Sequence, residues 1–491
     1  MSDNLVRSGV PGLDYLLRGG FPARRIYVIH GPTGSGKTTL GMQFAMEGAR
    51  SDERTLYVTL AESRDELDQI TRSHDWSIAG VNVFAPQTAT DDAQDNKDQY
   101  TLFHPGEVEL TDLINEIIAK VAAVKPARVV IDSLAEIRLL ARDPLILMRQ
   151  MRILRTALTE RHCTVLLLNN RLTGGSSPAN LETFAHGIIE VDYSTAHYGA
   201  IRRCISVVKL RGADPVSGKH DMSLVPGGIR IYPRLIAARP ASREEESLVR
   251  SGLEGLDQLC GGGLERGSSA MIIGTAGTGK STVASQFALA AAERGERTAM
   301  FVFDETEESW RMRWRGMNMP LDEYVDKDVV EVTSVDPTEM SSGEFSHMIR
   351  VAVERRKARI VVIDSLSGYM QVLPESRFMK VHLFELLKYL NARGVLSLLV
   401  VTQHGVLGST VETPINVSYL IDTILLMRFF EARGEVHKAV SVVKKRLGQH
   451  EKTIRELRIA PEGVRVGEPL REFEGVLRGM PAYVGDGRNL L

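Results

Sequence analysis

The chain is written twice, and that repetition limits its architecture more than any single motif does. "SGVPGLDYLLRGGF" from Ser8 returns as "SGLEGLDQLCGGGL" from Ser251, an offset of 243 residues that Lys37 against Lys280 and Glu62 against Glu305 reproduce. "ARVVIDSL" at Ala127 returns as "ARIVVIDSL" at Ala358, with Asp132 and Asp364 now 232 apart, and "SVVKLRG" returns as "SVVKKRLG" with Lys209 and Lys444 235 apart. The first copy therefore carries about eleven extra residues between these motifs, and the polar stretch Thr88 to Tyr100 has the composition of the loop that holds them. Order and spacing persist over roughly 230 residues, so the repeat is a whole domain and not the unit of a solenoid.

The expected organisation is a first domain over residues 1–236, a linker over 237–248, a second domain over 249–470 and a tail over 471–491. "AARPASREEESLVR", Ala237 to Arg250, has the Pro, Ser and acidic run of an exposed connection. Inside each copy, short runs of Val, Ile and Leu such as "RIYVIHG", "TLYVTL" and "TVLLLNN" alternate with helix-period segments such as "KTTLGMQFAMEGAR". Continuous apolar strands separated by helices predict an α/β fold, a mostly parallel sheet covered on both faces. Such sheets bind their ligands beyond the carboxyl ends of the strands.

Two phosphate-binding loops stand in register at that end. The first, from Gly31, offers Thr33, Gly34, Ser35, Gly36, Lys37, Thr38 and Thr39; the second, from Gly274, offers Ala276, Gly277, Thr278, Gly279, Lys280, Ser281 and Thr282. Their glycines let backbone N–H groups close around phosphate oxygens, the lysine neutralises the β and γ phosphates, and the Thr or Ser hydroxyl ligates Mg²⁺. Asp132 and Asp364 each end a buried strand and are the acids expected to hold that metal with Thr38 and Ser281. ATP and Mg²⁺ are thus the expected cofactors.

Hydrolysis needs a carboxylate that orients water on the γ-phosphate. Glu62 and Glu305, each 25 residues after its P-loop lysine, close the next strand; Ala61 precedes the first and Asp304 the second. Glu62, Asp304 and Glu305 are therefore the candidate catalytic acids, and the single acid of the first copy predicts a reduced constellation there. Lys209 with Arg211, and Lys444 with Arg446, are cations two apart near a strand end, suited to reach a neighbouring subunit's nucleotide.

This set, "SGxxGLD…GG", the P-loop, the strand-end Glu, "IDSL" and "K-x-R", all in duplicate, resembles the KaiC family of tandem RecA-like ATPases, the hexameric ATPase and autokinase of bacterial circadian clocks, over about residues 5 to 480. The resemblance implies two rings of six, ATP at subunit interfaces, and Lys209, Arg211, Lys444 and Arg446 acting across them. It also implies base contacts near Ser73 and the Trp314-Arg315 pair. In the clock proteins the second domain phosphorylates a Ser-Thr pair just before a "TDTIILL"-like strand. The corresponding segment "VETPINVSYLIDTILLM" makes Ser418, Tyr419 and Thr413 the phosphoacceptor candidates, with Tyr419 a departure from the Ser/Thr pattern. Little sequence follows "REFEGVLRGMP", so the segment through which the clock proteins recruit a stimulatory partner looks cut short here, and dependence on such a partner stays an open question at this point.

Two other readings compete. A RecA- or RadA-like DNA-dependent ATPase would want basic loops, yet "TQHGVLGSTVETPINVSY" carries neither Lys nor Arg; Arg138, Arg142, Arg149, Arg152 and Arg155 argue the other way. A scaffold held by ATP with little hydrolysis is the second, and Ala61 is its support. Sixty Lys and Arg against 62 Asp and Glu give the whole molecule no field for nucleic acid or membrane. Three scattered cysteines, no apolar leader in "MSDNLVRSGV" and no long apolar run lead to the expectation of a cytoplasmic protein. Its partners are expected to be further copies of itself and unidentified proteins.

Overall fold

Alternation along single strands builds both halves. On β1 (Ile26–Gly31), Tyr27 and Ile29 enter one hydrophobic cluster while Ile26 and Val28 enter another on the opposite face. The same division recurs on the equivalent strand of the second half, Ser269–Gly274, where Ala270 and Ile272 face one cluster and Met271 and Ile273 the other. Successive side chains of a strand point to opposite faces, so a run that is apolar throughout needs cover on both.

The computed structural model describes residues 5–86, 105–141, 143–170, 184–194, 199–235, 247–317, 319–371, 376–403, 417–432, 434–476 and 482–484. The chain divides into two compact units, Met1–His197 with Ile201–Arg234, and Leu235–Leu491 with Tyr198–Ala200. The expected linker, the Thr88–Tyr100 insertion, Arg142 and Thr413 fall wholly or largely outside the described residues.

In the first unit β1 is followed by β2 (Thr55–Thr59), β3 (Val81–Phe84), β4 (Arg128–Asp132), β5 (Thr164–Asn170), β6 (Gly187–Ser194), β7 (Arg202–Leu210), β8 (His220–Val225) and β9 (Gly228–Tyr232). In the second, β10 is Ser269–Gly274, followed by β11 (Thr298–Val302), β12 (Val330–Ser334), β13 (Ile360–Asp364), β14 (Leu396–Thr402), β15 (Thr423–Ala432), β16 (Glu435–Lys445), β17 (Arg455–Ala460) and β18 (Gly463–Pro469). The first sheet has the order β9-β8-β7-β6-β1-β5-β4-β2-β3, and the second has the same order with every label raised by nine. Six strands from β6 to β3 run parallel, and β7, β8 and β9 extend the sheet antiparallel. These are two mostly parallel α/β sheets, as the strand-helix alternation predicts, and they agree with the RecA-like architecture that the resemblance implies.

Helix α1 (Lys37–Arg50) follows the first P-loop and α2 (Arg64–Ser73) follows β2; their counterparts are α3 (Lys280–Glu293) and α4 (Glu307–Gly316). Gly36 and Gly279 stand before α1 and α3 at φ 101° and 99°, a left-handed turn that glycine enters without steric cost. Gly31 and Gly274 close the P-loop strands against a neighbour. A Cβ at Gly31 would lie 2.1 Å from the Val191 carbonyl oxygen, and one at Gly274 2.6 Å from that of Met427.

Both sheets also carry a bulge at the same place. Ile188 pairs with Lys209 but Ile189 with Val207, and Ile424 pairs with Lys444 but Leu425 with Val442. The extra residues, Val208 and Val443, are exposed, and the bulge re-aims the lysine that follows each.

Candidate functional site

The first nucleotide site rests on three strand ends. Asp132 ends β4, one strand removed from β1, and α1 brings Thr38 back over that gap. Thr38 Oγ1 donates to Asp132 Oδ2 at 2.7 Å, and the Tyr57 hydroxyl of β2 donates to the same oxygen at 2.8 Å. Burial raises the Asp132 carboxyl above its usual range, opposed by those two hydrogen bonds and the charge of Lys37. Lys37 Nζ donates to the carbonyls of Gly31 at 3.0 Å and Pro32 at 2.7 Å, and burial lowers the ammonium to about 8. An arriving phosphate competes with those two carbonyls for the lysine.

The second site repeats this frame with one substitution. Ser281 hydrogen-bonds Asp364, whose carboxyl burial raises, and Lys280 Nζ donates to the Thr275 carbonyl at 2.8 Å. Met300 stands where Tyr57 does, so Asp364 lacks the equivalent phenol. Asp132–Ser133 and Asp364–Ser365 are both cis peptide bonds. In the loops, Thr33, Gly34, Ala276 and Gly277 are exposed, while Ser35, Thr39, Thr278 and Thr282 are buried. A hydroxyl beside a carboxylate at the mouth of a phosphate loop suits Mg²⁺, which keeps most of its waters and takes few protein ligands. It needs no cluster of three acids, and among the described residues none exists.

The two copies part at the third strand end. Glu62 follows β2, its backbone fixed by Thr59 Oγ1, which donates to the Glu62 carbonyl at 2.6 Å. Its Oε2 is buried and meets no partner among the described residues. Burial first, then the charges of Asp132 and Glu66, push its carboxyl up to about 7. That is the range in which a carboxylate works as a base near neutral pH. At the second site both acids are engaged. Ser365 Oγ donates to Asp304 Oδ2 at 2.6 Å, and Arg313 of α4 forms an ion pair with Glu305. Burial raises the Glu305 carboxyl and Arg313 opposes it. Ser133 is the counterpart of Ser365, Ala61 stands at the position of Asp304, and the buried Ser133 hydroxyl has no partner among the described residues. Two acids in sequence therefore do not make two free acids in space. Tyr57, Ser365 and Arg313 were missed by motif reasoning; the Tyr57/Met300, Ala61/Asp304 and Ile70/Arg313 differences between the copies signal them.

The basic pairs lie elsewhere. Lys209 is level with Ile188 and Val28, and Lys444 with Ile424 and Met271, near the start of the P-loop strands. The P-loops leave the far ends, about 10 Å further along and two strands, about 10 Å, across. Lys444 Nζ donates to the carbonyls of Ser418 and Ile421, both at 2.6 Å; Arg446 donates to the Tyr419 carbonyl at 2.7 Å and pairs with Asp422 at 3.2 Å. Both cations thus hold the turn Ser418–Leu420 that carries two phosphoacceptor candidates. Ser418 is half-buried and Tyr419 exposed. Arg211 is exposed beyond β7.

One expectation is corrected. Trp314 is fully buried, edge-on to Trp310 in the core with ring centroids 5.6 Å apart, so its ring offers no face to a base. Helix periodicity is the reason: Trp310 and Trp314 are four apart and share the inner face of α4. Arg315 pairs with Asp322, and Ser73 Oγ donates to the Ile70 carbonyl at 2.8 Å. Arg155, from the basic helix of the first unit, lies over the Phe184 ring, 5.6 Å from its centroid. No helix among the described residues is long and apolar enough to cross a membrane.

The family model for the KaiC ATPase matches the chain twice, over residues 6–236 and 249–471. The circadian clock protein KaiC3 of Synechocystis sp. is 28% identical over 481 residues, 97% of this chain and 94% of the relative. The circadian clock oscillator protein KaiC of Synechococcus elongatus is 26% identical over 482 residues, 98% and 92% of the two chains.

Two outcomes follow from the asymmetry. In a Glu305→Gln background, turnover at the first site rises between pH 6 and 8 with its midpoint at about 7 and levels off beyond that window, because Glu62 accepts a proton only as the carboxylate. A flat profile over that range removes Glu62 as the base. Ser365→Ala costs about 1 kcal/mol in urea unfolding through the lost bond to Asp304, whereas Ser133→Ala is neutral or slightly stabilising.

Proposed function

Because the chain belongs to the KaiC family of ATPases, we propose that it is an ATP-hydrolysing ring of six in which the second domain phosphorylates Ser418, serving a timing or signalling role in the cytoplasm. The observation that carries the reading is the doubled frame of lysine, hydroxyl and strand-end acid: Lys37, Thr38 and Asp132, then Lys280, Ser281 and Asp364. Those hydroxyls and acids would hold Mg²⁺, which supplies charge that neutralises the β and γ oxygens. The ring's output is passed to protein partners.

At the first site Glu62 orients water on the γ-phosphorus and takes its proton as the bond to the β,γ-bridging oxygen breaks and ADP leaves. At the second site the Ser418 hydroxyl replaces water. Its oxygen bonds the γ-phosphorus, ADP departs with the bridging oxygen, and Asp304, the acid there that no arginine pairs with, accepts the hydroxyl proton. The end-to-end separation within one sheet supports transfer between copies. Ser418 lies beside the start of β10, where Asp422 N donates to the Ser269 carbonyl at 3.0 Å, while the P-loop leaves the other end. Lys209, Arg211, Lys444 and Arg446 are separated from their own loops in the same way and reach a neighbour's nucleotide.

Mixing two variants checks this. Lys280→Ala chains, which cannot use ATP at the second site, should acquire label from γ-labelled ATP on Ser418 only after mixing with Ser418→Ala chains. Absence of label in the wild type, or label at Tyr419 that survives Ser418→Ala, contradicts the assignment.

A further inference from the structure

The ion pair between Arg313 and Glu305 is confined to one of the two copies. Its place in the first copy, eight residues after Glu62 as Arg313 is eight after Glu305, belongs to Ile70, which packs on the core. Helix α2 and helix α4 occupy equivalent positions in their units, so the comparison is one residue against one residue on a shared frame.

Arg313 is held firmly where it stands. Trp310 and Trp314 anchor the inner face of α4 in the core, and Thr306 caps the helix by accepting from Ser309 N at 3.2 Å. The Arg313 guanidinium lies on the Trp314 ring, 4.6 Å from its centroid, a contact that adds to the charge-charge attraction. Its Nε is buried and meets no acceptor among the described residues. The same guanidinium is close enough to Asp364 to act on that carboxylate's charge. Arg313 therefore sits at the second ATP site from within the same chain. Lys444 and Arg446 lie at the other end of the same sheet, away from this chain's own second site.

An arginine bound to a carboxylate neutralises the charge that draws a proton from water and fixes the oxygen that would orient it. We propose that Arg313 is a positioning residue that withholds Glu305 from water, so that the second site retains ATP for transfer to a protein hydroxyl while the first, with Ile70, hydrolyses it. Asp304 remains open to a hydroxyl acceptor, exposed and bonded only to Ser365 among the described residues. The inference rests on the reading of Glu62 and Glu305 as the acids that face the γ-phosphate.

The test uses the full chain and two backgrounds. With Glu62→Gln silencing the first site, Arg313→Leu should raise the kcat of ATP hydrolysis about tenfold, within the range a general base contributes, at unchanged KM, and lower the fraction of ATP that ends on Ser418. Arg313→Lys, which keeps the charge, should behave as the wild type. The converse graft guards against a folding failure: with Glu305→Gln, Ile70→Arg should lower first-site kcat about tenfold, and Ile70→Met should leave it alone. An unchanged or lower kcat in Arg313→Leu, together with an inert Ile70→Arg, overturns the proposal by itself. Undiminished total turnover in Glu62→Gln removes the acid reading beneath it, a result that Arg313 variants do not influence.

Discussion

Everything at the two sites depends on a short hydrogen bond between the first turn of a helix and the end of a strand two positions away in the sheet: Thr38 to Asp132, and again Ser281 to Asp364. The bond exists because the crossover after each P-loop strand returns its helix over the sheet, placing its first hydroxyl above an acid that the sequence separates from it by 94 residues in the first copy and 83 in the second. Burial makes that acid costly to ionise without a partner, so hydroxyl, lysine and, in the first copy, Tyr57 converge on it. A bound phosphate with its metal would offer partners to the lysine, the hydroxyl and the acid together. The apolar clusters on the two faces of each sheet hold these strand ends in register.

On this shared frame the copies differ by a few side chains with large electrostatic consequences. Ala61 removes an acceptor and leaves the Ser133 hydroxyl with no partner among the described residues; Ile70 stands where a cation would be and leaves Glu62 Oε2 buried with none, the carboxyl pushed up to about 7. Asp304 and Arg313 reverse both changes in the second copy. Duplication thus supplied two equivalent frames, and substitutions at the third strand end changed the partners of their acids without disturbing strand order.

The fold was legible because its signals are local. Apolar runs, glycines at left-handed turns and the repeat itself reflect constraints that act within a few residues of one another, and the two sheets have the same order throughout. The lysines, hydroxyls and acids of the P-loop sites were legible for the same reason. What the motifs hid is the state of each acid. That Arg313 of a helix meets Glu305 of the preceding loop, or that Ser365 at the end of β13 reaches Asp304 at the end of the neighbouring β11, depends on how elements dock. Trp314 misled because an aromatic beside an arginine looks like a ligand platform, whereas its spacing from Trp310 carries it into the core. Lys444 and Arg446 were legible as cations, but their grip on the Ser418 turn emerges only once β15 and β16 pair.

The central claim is that each copy is a complete ATP site built on its own lysine, hydroxyl and acid. Equilibrium binding of a non-hydrolysable ATP analogue with Mg²⁺ tests it most directly. The account predicts two nucleotides per chain, falling to one in Lys37→Ala and to one in Lys280→Ala. A single nucleotide per wild-type chain, or a stoichiometry that either substitution leaves unchanged, would contradict it.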